Sequence, residues 1–275
     1  MPGLNTTGKP NTEDYNLGRG ICYFAPLVNS LPGAYRDLGN APEFNISIEN
    51  ETVEHTSSRA GLRSVDKEVT ISQKITLSIT IDELNFENLA LFFSGSTATF
   101  SNAVAIAGFS EHQMVTGVEL GRWYDIVDSN GVRVYNITAG NLTVEDGATT
   151  LVEDTDYEVD ETMGRIFFLS TATNTSAGQD IDVTLSANAS AGTVDEVRAL
   201  TQSATTGALK FISINPAAGD RKTEYQFHQV SLKATGDFAL IGDEFTTMQL
   251  EGTAEKNETA DSDSPTMTSR TLTPA

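Results

Sequence analysis

Few side chains in this sequence stand at spacings that support chemistry. His55, His112 and His228 are far apart, no two of them at the His-x-x-x-His spacing that lets one helix face grip a metal, and none lies beside Cys22, the single cysteine. Each histidine therefore reads as a surface or loop residue. The densest set of oxygen ligands is the run VEDTDYEVDE, which holds Glu153, Asp154, Asp156, Glu158, Asp160 and Glu161. Carboxylates at that density could take calcium or supply an acid–base pair for glycoside cleavage. The loop glycine and spaced ligands of an EF-hand are missing, and the run reads as a solvated hairpin face. Trp123, Tyr124, Tyr135 and Tyr157 could present aromatic faces to a sugar or pack as strand core, and spacing does not separate the two. There is no G-x-x-x-x-G-K-[ST] phosphate loop and no G-x-S-x-G elbow. The expectation is a protein without catalytic, metal or cofactor residues, and not an enzyme.

Composition narrows the partners. The 275 residues hold 17 Lys and Arg against 38 Asp and Glu, a net charge of -21. That balance argues against a groove that grips nucleic acid, because affinity for phosphates comes from clustered cations. With 39% hydrophobic residues and 13 Phe the chain can bury one large core or two smaller ones. One cysteine allows no intrachain disulfide and no Cys-rich zinc site, so Cys22 reads as a small core residue. No stretch approaches the roughly 18 apolar residues of a membrane span. The opening MPGLNTTGKPNTEDYNLGRG lacks a basic n-region and an apolar h-region, which points to a soluble product made in the cytoplasm. The triplets at Asn45, Asn136 and Asn141 then reflect a Thr-rich β-protein and not glycosylation.

The elements are mostly strands. In EVTISQKITLSITI, Val69, Ile71, Ile75, Leu77, Ile79 and Ile81 alternate with polar residues, the period of a strand with one buried face. EFNISIENETV alternates likewise, so 43–53 and 68–81 form a long hairpin whose connection, about 15 residues, is long enough to have a role of its own. Within HTSSRAGLRSVDKEV the acidic chain gathers Arg59, Arg63 and Lys67, with Lys74 shortly after. Positive charge thus concentrates at the tip of an arm. IDELNFENLALFFSG repeats Phe86, Leu89, Ala90 and Phe93 at helical spacing, with Asp82 as the expected N-cap and Gly95 as the stop. Three short hairpins follow, turning at Asn130-Gly131, Asp146-Gly147 and near Met163-Gly164. In TEYQFHQVSLKAT, Tyr225 and Phe227 share one parity while Val230 and Leu232 take the other, which requires a bulge near His228 or Gln229.

The expected organisation is an N-terminal arm (1–20), a discontinuous β-sandwich (21–110 and 191–256), an inserted small β-sandwich-like domain (111–190) and a flexible C-terminal tail (257–275). The fold class is mainly β, with one flanking helix. Open sheet edges of this length favour regular pairing with sister subunits.

The succession GRGICYFAPL, GAYRDLGNAPEFNISIENETVEHTSSRAGLRSVDKEVT, ITIDELNFENLALFFSG, DTDYEVDETMGRIFFL and DFALIGDEFTTMQLEGTAEK, spanning Gly18 to Lys256, resembles the tail tube (major tail) protein of long-tailed, siphovirus-type bacteriophages. That resemblance implies a β-sandwich flanked by a helix, assembled as stacked hexameric rings around a lumen through which the genome leaves the capsid. It implies self-association, tape measure and tail tip or terminator proteins as partners, DNA that passes without specific binding, and a place in the virion tail. Arg59, Arg63, Lys67 and Lys74 would then lie at an intersubunit seam. Other β-rich virion components, such as a tail terminator or a head decoration protein, remain open alternatives, as does a carbohydrate-binding module.

Overall fold

The computed structural model describes residues 15–57, 61, 63–101, 109–186, 193–202, 205–218 and 221–272. In chain order these form β1 (Gly20–Val28), β2 (Leu31–Pro32), β3 (Arg36–Asp37), β4 (Glu43–Thr56), β5 (Val65–Ile81), helix α1 (Phe86–Phe92), β6 (Ser96–Ser101), β7 (Phe109–Val115), β8 (Arg122–Asp125), β9 (Leu142–Asp146), β10 (Thr149–Thr150), β11 (Tyr157–Asp160), β12 (Arg165–Phe168), β13 (Ile181–Leu185), β14 (Thr193–Arg198), β15 (Thr205–Asn215), β16 (Arg221–Thr235), β17 (Met248–Ala254) and β18 (Met267–Leu272). The protein is mainly β. Two compact units divide the chain: Met1–Thr97 with Val197–Ala275, and Ala98–Glu196. The second is wider than 111–190 at both ends.

The first unit is built on a nine-stranded antiparallel sheet in the order β2-β1-β15-β16-β17-β5-β4, with β3 beside β1 and β18 beside β16. It branches at β16. The first half of that strand, Lys222 to Phe227, pairs with β18, and the second half, Val230 to Thr235, pairs with β17. Between the halves, Gly207 and Leu209 of β15 oppose Val230 and Phe227, so β16 carries one extra residue at His228–Gln229. This is the bulge that the parity change in the sequence requires. It puts Phe227, Val230 and Leu232 all at 0% exposure. Cys22, Phe24, Leu38, Leu77, Ile79, Ile81, Leu91, Phe92, Leu209, Met248 and Leu250 complete the core. Burial pushes the Cys22 thiol up to about 12, with the nearby Asp37 charge adding to it, so it stays a protonated core residue.

The helix is shorter than its sequence pattern and turned about its axis. Its N-cap is Asn85, not Asp82, and the Asn85 side chain accepts from the Asn88 backbone N–H at 2.8 Å. Asp82 instead accepts from the Asn40 side chain. The residues that bury are Asn88, Ala90, Leu91 and Phe92. Asn88 is the polar centre of this packing. Its Nδ2 donates to the Leu38 and Glu83 carbonyls at 2.8 and 3.0 Å, and its Oδ1 accepts from Arg36 Nη1 at 2.7 Å.

Two further expectations need correction. Residues 257–272 are not a free tail. Asn257 is buried and donates to the Ser30 carbonyl at 2.7 Å, and β18 closes a six-residue ladder on β16. His228 is not a surface histidine either. It is 3% exposed, its Nε2 lies 3.0 Å from Thr268 Oγ1 and 3.8 Å from Asp261 Oδ2, and burial holds its pKa below the ordinary value despite Asp261. A neutral imidazole thus helps anchor the C-terminal segment at the bulge. Of the arm 1–20, only 15–20 is described. Asn215 holds it, accepting from the Leu17 N–H and donating to the Tyr15 carbonyl.

In the second unit a four-stranded sheet, β10-β9-β13-β7, and a three-stranded sheet, β11-β12-β8, share one core of Val144, Ile166, Phe168, Ile181, Val183 and Leu185 with the surrounding loops. The three turns fall where the sequence places them. Asp146 pairs with Thr149 and Asp160 with Arg165, and the first hairpin narrows to a single bridge, Val127 to Arg133. At the Arg165 turn, Gly164 has φ +61° and lies against the Val134 carbonyl, leaving no room for a side chain.

The packing around α1 ranks two substitutions. Asn88→Ala strands the Arg36 guanidinium and two carbonyls, and urea unfolding should show a loss of about 2–3 kcal/mol, against about 1 kcal/mol for the N-cap change Asn85→Ala. Equal losses would contradict the hub assigned to Asn88.

Candidate functional site

Among the described residues no three His, Cys, Asp or Glu side chains converge to hold a metal ion. The acidic run is only partly a solvated face. Asp156 is fully buried, and its carboxylate accepts from the backbone N–H groups of Val152, Thr173 and Asn174 at 2.9 to 3.0 Å and from Asn174 Nδ2 at 2.7 Å. These bonds outweigh the cost of burial and hold its pKa well below the usual carboxylate range. Asp160 is engaged by Arg165 at 2.8 and 3.0 Å. The run therefore staples loops together.

The aromatic residues separate by strand parity. Tyr124 packs on Phe168 toward the core, and Tyr157 is buried. Trp123, on the outer face, is 46% exposed, but Arg165 lies 4.5 Å over its ring and Phe167 packs beside it at 5.2 Å. One ring face, as a stacking surface for a sugar, is thus already occupied.

The unusual surface is the β4–β5 hairpin. β5 pairs with β17 only from Ile75 to Ile81, so beyond Ile75 the arm is a two-stranded ribbon. Val65 to Lys74 of β5 spans roughly 30 Å at about 3.3 Å per residue, past the edge of the sheet. The strands run further than the sequence suggests. His55 faces Lys67 and Thr56 faces Val65, so the connection shrinks to 57–64, and Ser57 N–H donates to the Ser64 carbonyl across its base. Lys67 therefore sits in the ladder and not in the loop. Lys74 stands opposite Glu49, and Arg63 precedes β5 at the tip. Arg59 lies outside the described residues.

Three properties of this arm are costly for an isolated chain. First, its apolar side chains are open: Ile46, Ile48, Val53, Val65, Val69 and Ile71 are all exposed, with Ile48 at 65% and Ile71 at 56%. The alternation that buries Leu77, Ile79 and Ile81 continues into the ribbon, with no opposing layer among the described residues. Ile48, Ile71 and Ile75 line an open groove of about 720 Å³ at its root. Second, Glu54 stands directly opposite Glu68, a like-charge cross-strand pair that is destabilising unless cations approach. Third, β4 ends the sheet order, and its 14 residues include no Lys and no Pro. Both register shifts fall on β5, at Ile71 and Asp66, so β4 itself runs without a bulge, and the charges on this edge strand are its four glutamates and not lysines.

The like-charge pair could not be read from the sequence. Glu54 opposite Glu68 emerges only from the register, and the register depends on bulges that alternation does not reveal.

The Asp156 staple gives a pH prediction. Its folded pKa is depressed, so its contribution to stability is complete above the ordinary carboxylate range, about pH 5, and is lost as pH falls through about 4 toward the folded value. Asp156→Ala should cost about 3 kcal/mol at pH 7 and progressively less below pH 4 in thermal or urea unfolding. A deficit that stays constant across that range would contradict the assignment.

A model of the family described as Protein of unknown function UCP028589 matches residues 15–266. No curated protein matches the chain.

Proposed function

We propose that the chain, which belongs to the UCP028589 family of proteins of unknown function, is a structural virion protein that polymerises as stacked hexameric rings into the tail tube of a long-tailed bacteriophage, the conduit for genome ejection. The observation that carries this reading is the long, bulge-free edge of β4 on an arm with exposed apolar faces. Such an edge either aggregates without order or pairs in a fixed register, and a virion tube is an ordered use of it. Arg63, Lys67 and Lys74, with Arg59 in the same stretch, then supply cations at a seam between acidic subunits and relieve pairs such as Glu54 and Glu68. An isolated exposed ion pair is worth only about 0–1 kcal/mol, so apolar burial and strand pairing hold the seam while charge sets register.

The same charge balance suits the bore. Acidic walls repel DNA phosphates over a Debye length of roughly 8 Å at physiological salt, which keeps the genome from sticking in transit. The tape measure and the tip or terminator proteins are the further partners of this reading. No enzymatic step is involved.

Electron microscopy of the purified chain over a concentration series tests it. Hollow tubes or stacked rings of uniform width are the expected result. Single closed rings that never stack would favour a terminator or head decoration protein, and particles without a central channel would overturn both. The double variant Ile48→Ser with Ile71→Ser should leave the unfolding temperature of the subunit nearly unchanged, because both side chains are exposed, and should raise the protein concentration needed for assembly at least about tenfold. Unchanged assembly would remove the arm from the seam.

A further inference from the structure

The buried ring of His228 is covered by a segment that has little else to hold it. The His228 backbone N–H donates to the Thr266 carbonyl at 3.3 Å, the ring Nε2 lies 3.0 Å from Thr268 Oγ1, and Asp261 Oδ2 stands 3.8 Å away. All three partners belong to the C-terminal segment. Between Glu255 and Leu272 only Asn257 is buried, and Met267 packs against the core while staying partly exposed. Among the described residues β18 has a ladder on the β16 side alone, and its last four residues are exposed. A segment that buries so little apolar surface opens at a lower free energy than the strands beneath it.

The hydrogen bonds place the single proton of the neutral ring. Thr268 Oγ1 donates to Asp261 Oδ2 at 3.4 Å, and a hydroxyl has one hydrogen, so Nε2–H is the donor in the His228–Thr268 bond. Nδ1 is then bare. It is buried and has no hydrogen-bond partner among the described residues. A second proton must therefore go to a nitrogen that neither water nor an acceptor reaches, which makes the charged ring unfavourable for as long as the segment stays closed.

We propose that the segment Asn257–Leu272 is a latch that mild acid opens: with His228 protonated, β18 and the turn before it leave β16 while the rest of the first unit stays folded. The latch goes beyond the tail-tube reading and does not rest on it. In the open form the ring is in water, with an ordinary pKa of about 6.5. In the closed form burial holds it lower, with the Asp261 carboxylate from the turn pulling upward and the Arg270 guanidinium from β18 pushing downward. The open form thus binds more protons, so closure is fully favoured above about pH 6.5 and weakens as pH falls toward the closed-form value. Asp261 acts in the same direction but at lower pH. Its carboxylate accepts from the Ser264 and Asp263 N–H groups, which holds its pKa below the ordinary value, and its contribution is lost only below about pH 4. Opening bares the backbone edge of Lys222–Phe227, so acid gives the first unit a second edge for strand pairing.

Amide hydrogen exchange of the full chain in dilute solution, corrected for the intrinsic effect of pH on exchange, tests the latch. Between about pH 7.5 and 5.5 the protection of peptides covering Asn257–Leu272 should fall by about three- to tenfold, while Ile75–Ile81 and Met248–Ala254 keep theirs. The variant His228→Gln keeps an Nε2 donor for Thr268 and takes no proton in this range, so its protection should be the same at both pH values. Unchanged protection in the wild type, an equal fall in His228→Gln, or loss of protection by all these peptides together would overturn the latch. A second measurement on the wild-type chain does not depend on how the variant folds. The Cε1 resonance of His228 should titrate below the ordinary value of about 6.5, in step with the loss of protection. A ring that titrates at or above that value, or one that titrates with the segment still protected, would contradict the proposal.

Discussion

A β-ladder satisfies one side of a strand's backbone, and β4 has a ladder only on the side of β5. The other side presents a row of N–H and C=O groups over 14 residues, on an arm that has outrun the sheet supporting it. A two-stranded ribbon alone in water is marginally stable, and this one also leaves its apolar side chains uncovered. Its root is clamped by β17 from Ile75 to Ile81, over a core that includes Leu77, Ile79 and Ile81. Free energy left unrecovered by the folded subunit becomes available to whatever covers the arm.

The clamp depends on the branch in β16. β18 pairs with Lys222–Phe227 and β17 with Val230–Thr235, so the two strands share β16 without competing for the same backbone groups, and the extra residue at His228–Gln229 falls between the two segments. The turn that leads from β17 into β18 has its own polar ties beside the neutral, buried His228. Asn257 fastens the segment to Ser30 near the start of the chain, while Asp261 accepts from the N–H groups of Asp263 and Ser264. The second unit has its own core and its own staple in Asp156. Its folding therefore does not draw on the arm.

Much of this was legible in the sequence because alternation is a direct record of burial. The hairpin of β4 and β5, the bulge that reconciles Phe227 with Val230, and the turns at Gly131, Gly147 and Gly164 all follow from parity and turn chemistry. The helix was legible in kind but not in register, since Asn88 is a polar residue chosen for the three groups it satisfies, and a hydrophobic period assigns it to the outside. Asp156 was hidden for the same reason: a carboxylate in an acidic run looks solvated until the loop that donates to it is in place. The strand Met267–Leu272 was missed because its residues, Met-Thr-Ser-Arg-Thr-Leu, are mostly exposed and held by backbone bonds, which leave no apolar pattern. Arg63 near the tip and Lys74 in the strand could be read, but the extension of the ladder to Thr56 and Val65, which takes in Lys67, could not.

In the proposed tube, completion of the arm beyond Ile75 by sister copies is the point on which assembly turns. Amide hydrogen exchange of the full chain, compared between dilute subunit and concentrated protein, measures this directly. Peptides covering Asn50–Thr56 and Val65–Gln73 should exchange rapidly in the dilute subunit and become protected on concentration, while the β15–β16 core is protected in both. Equal exchange of those peptides in both states, with assembly present, would show that the arm is not what joins the copies.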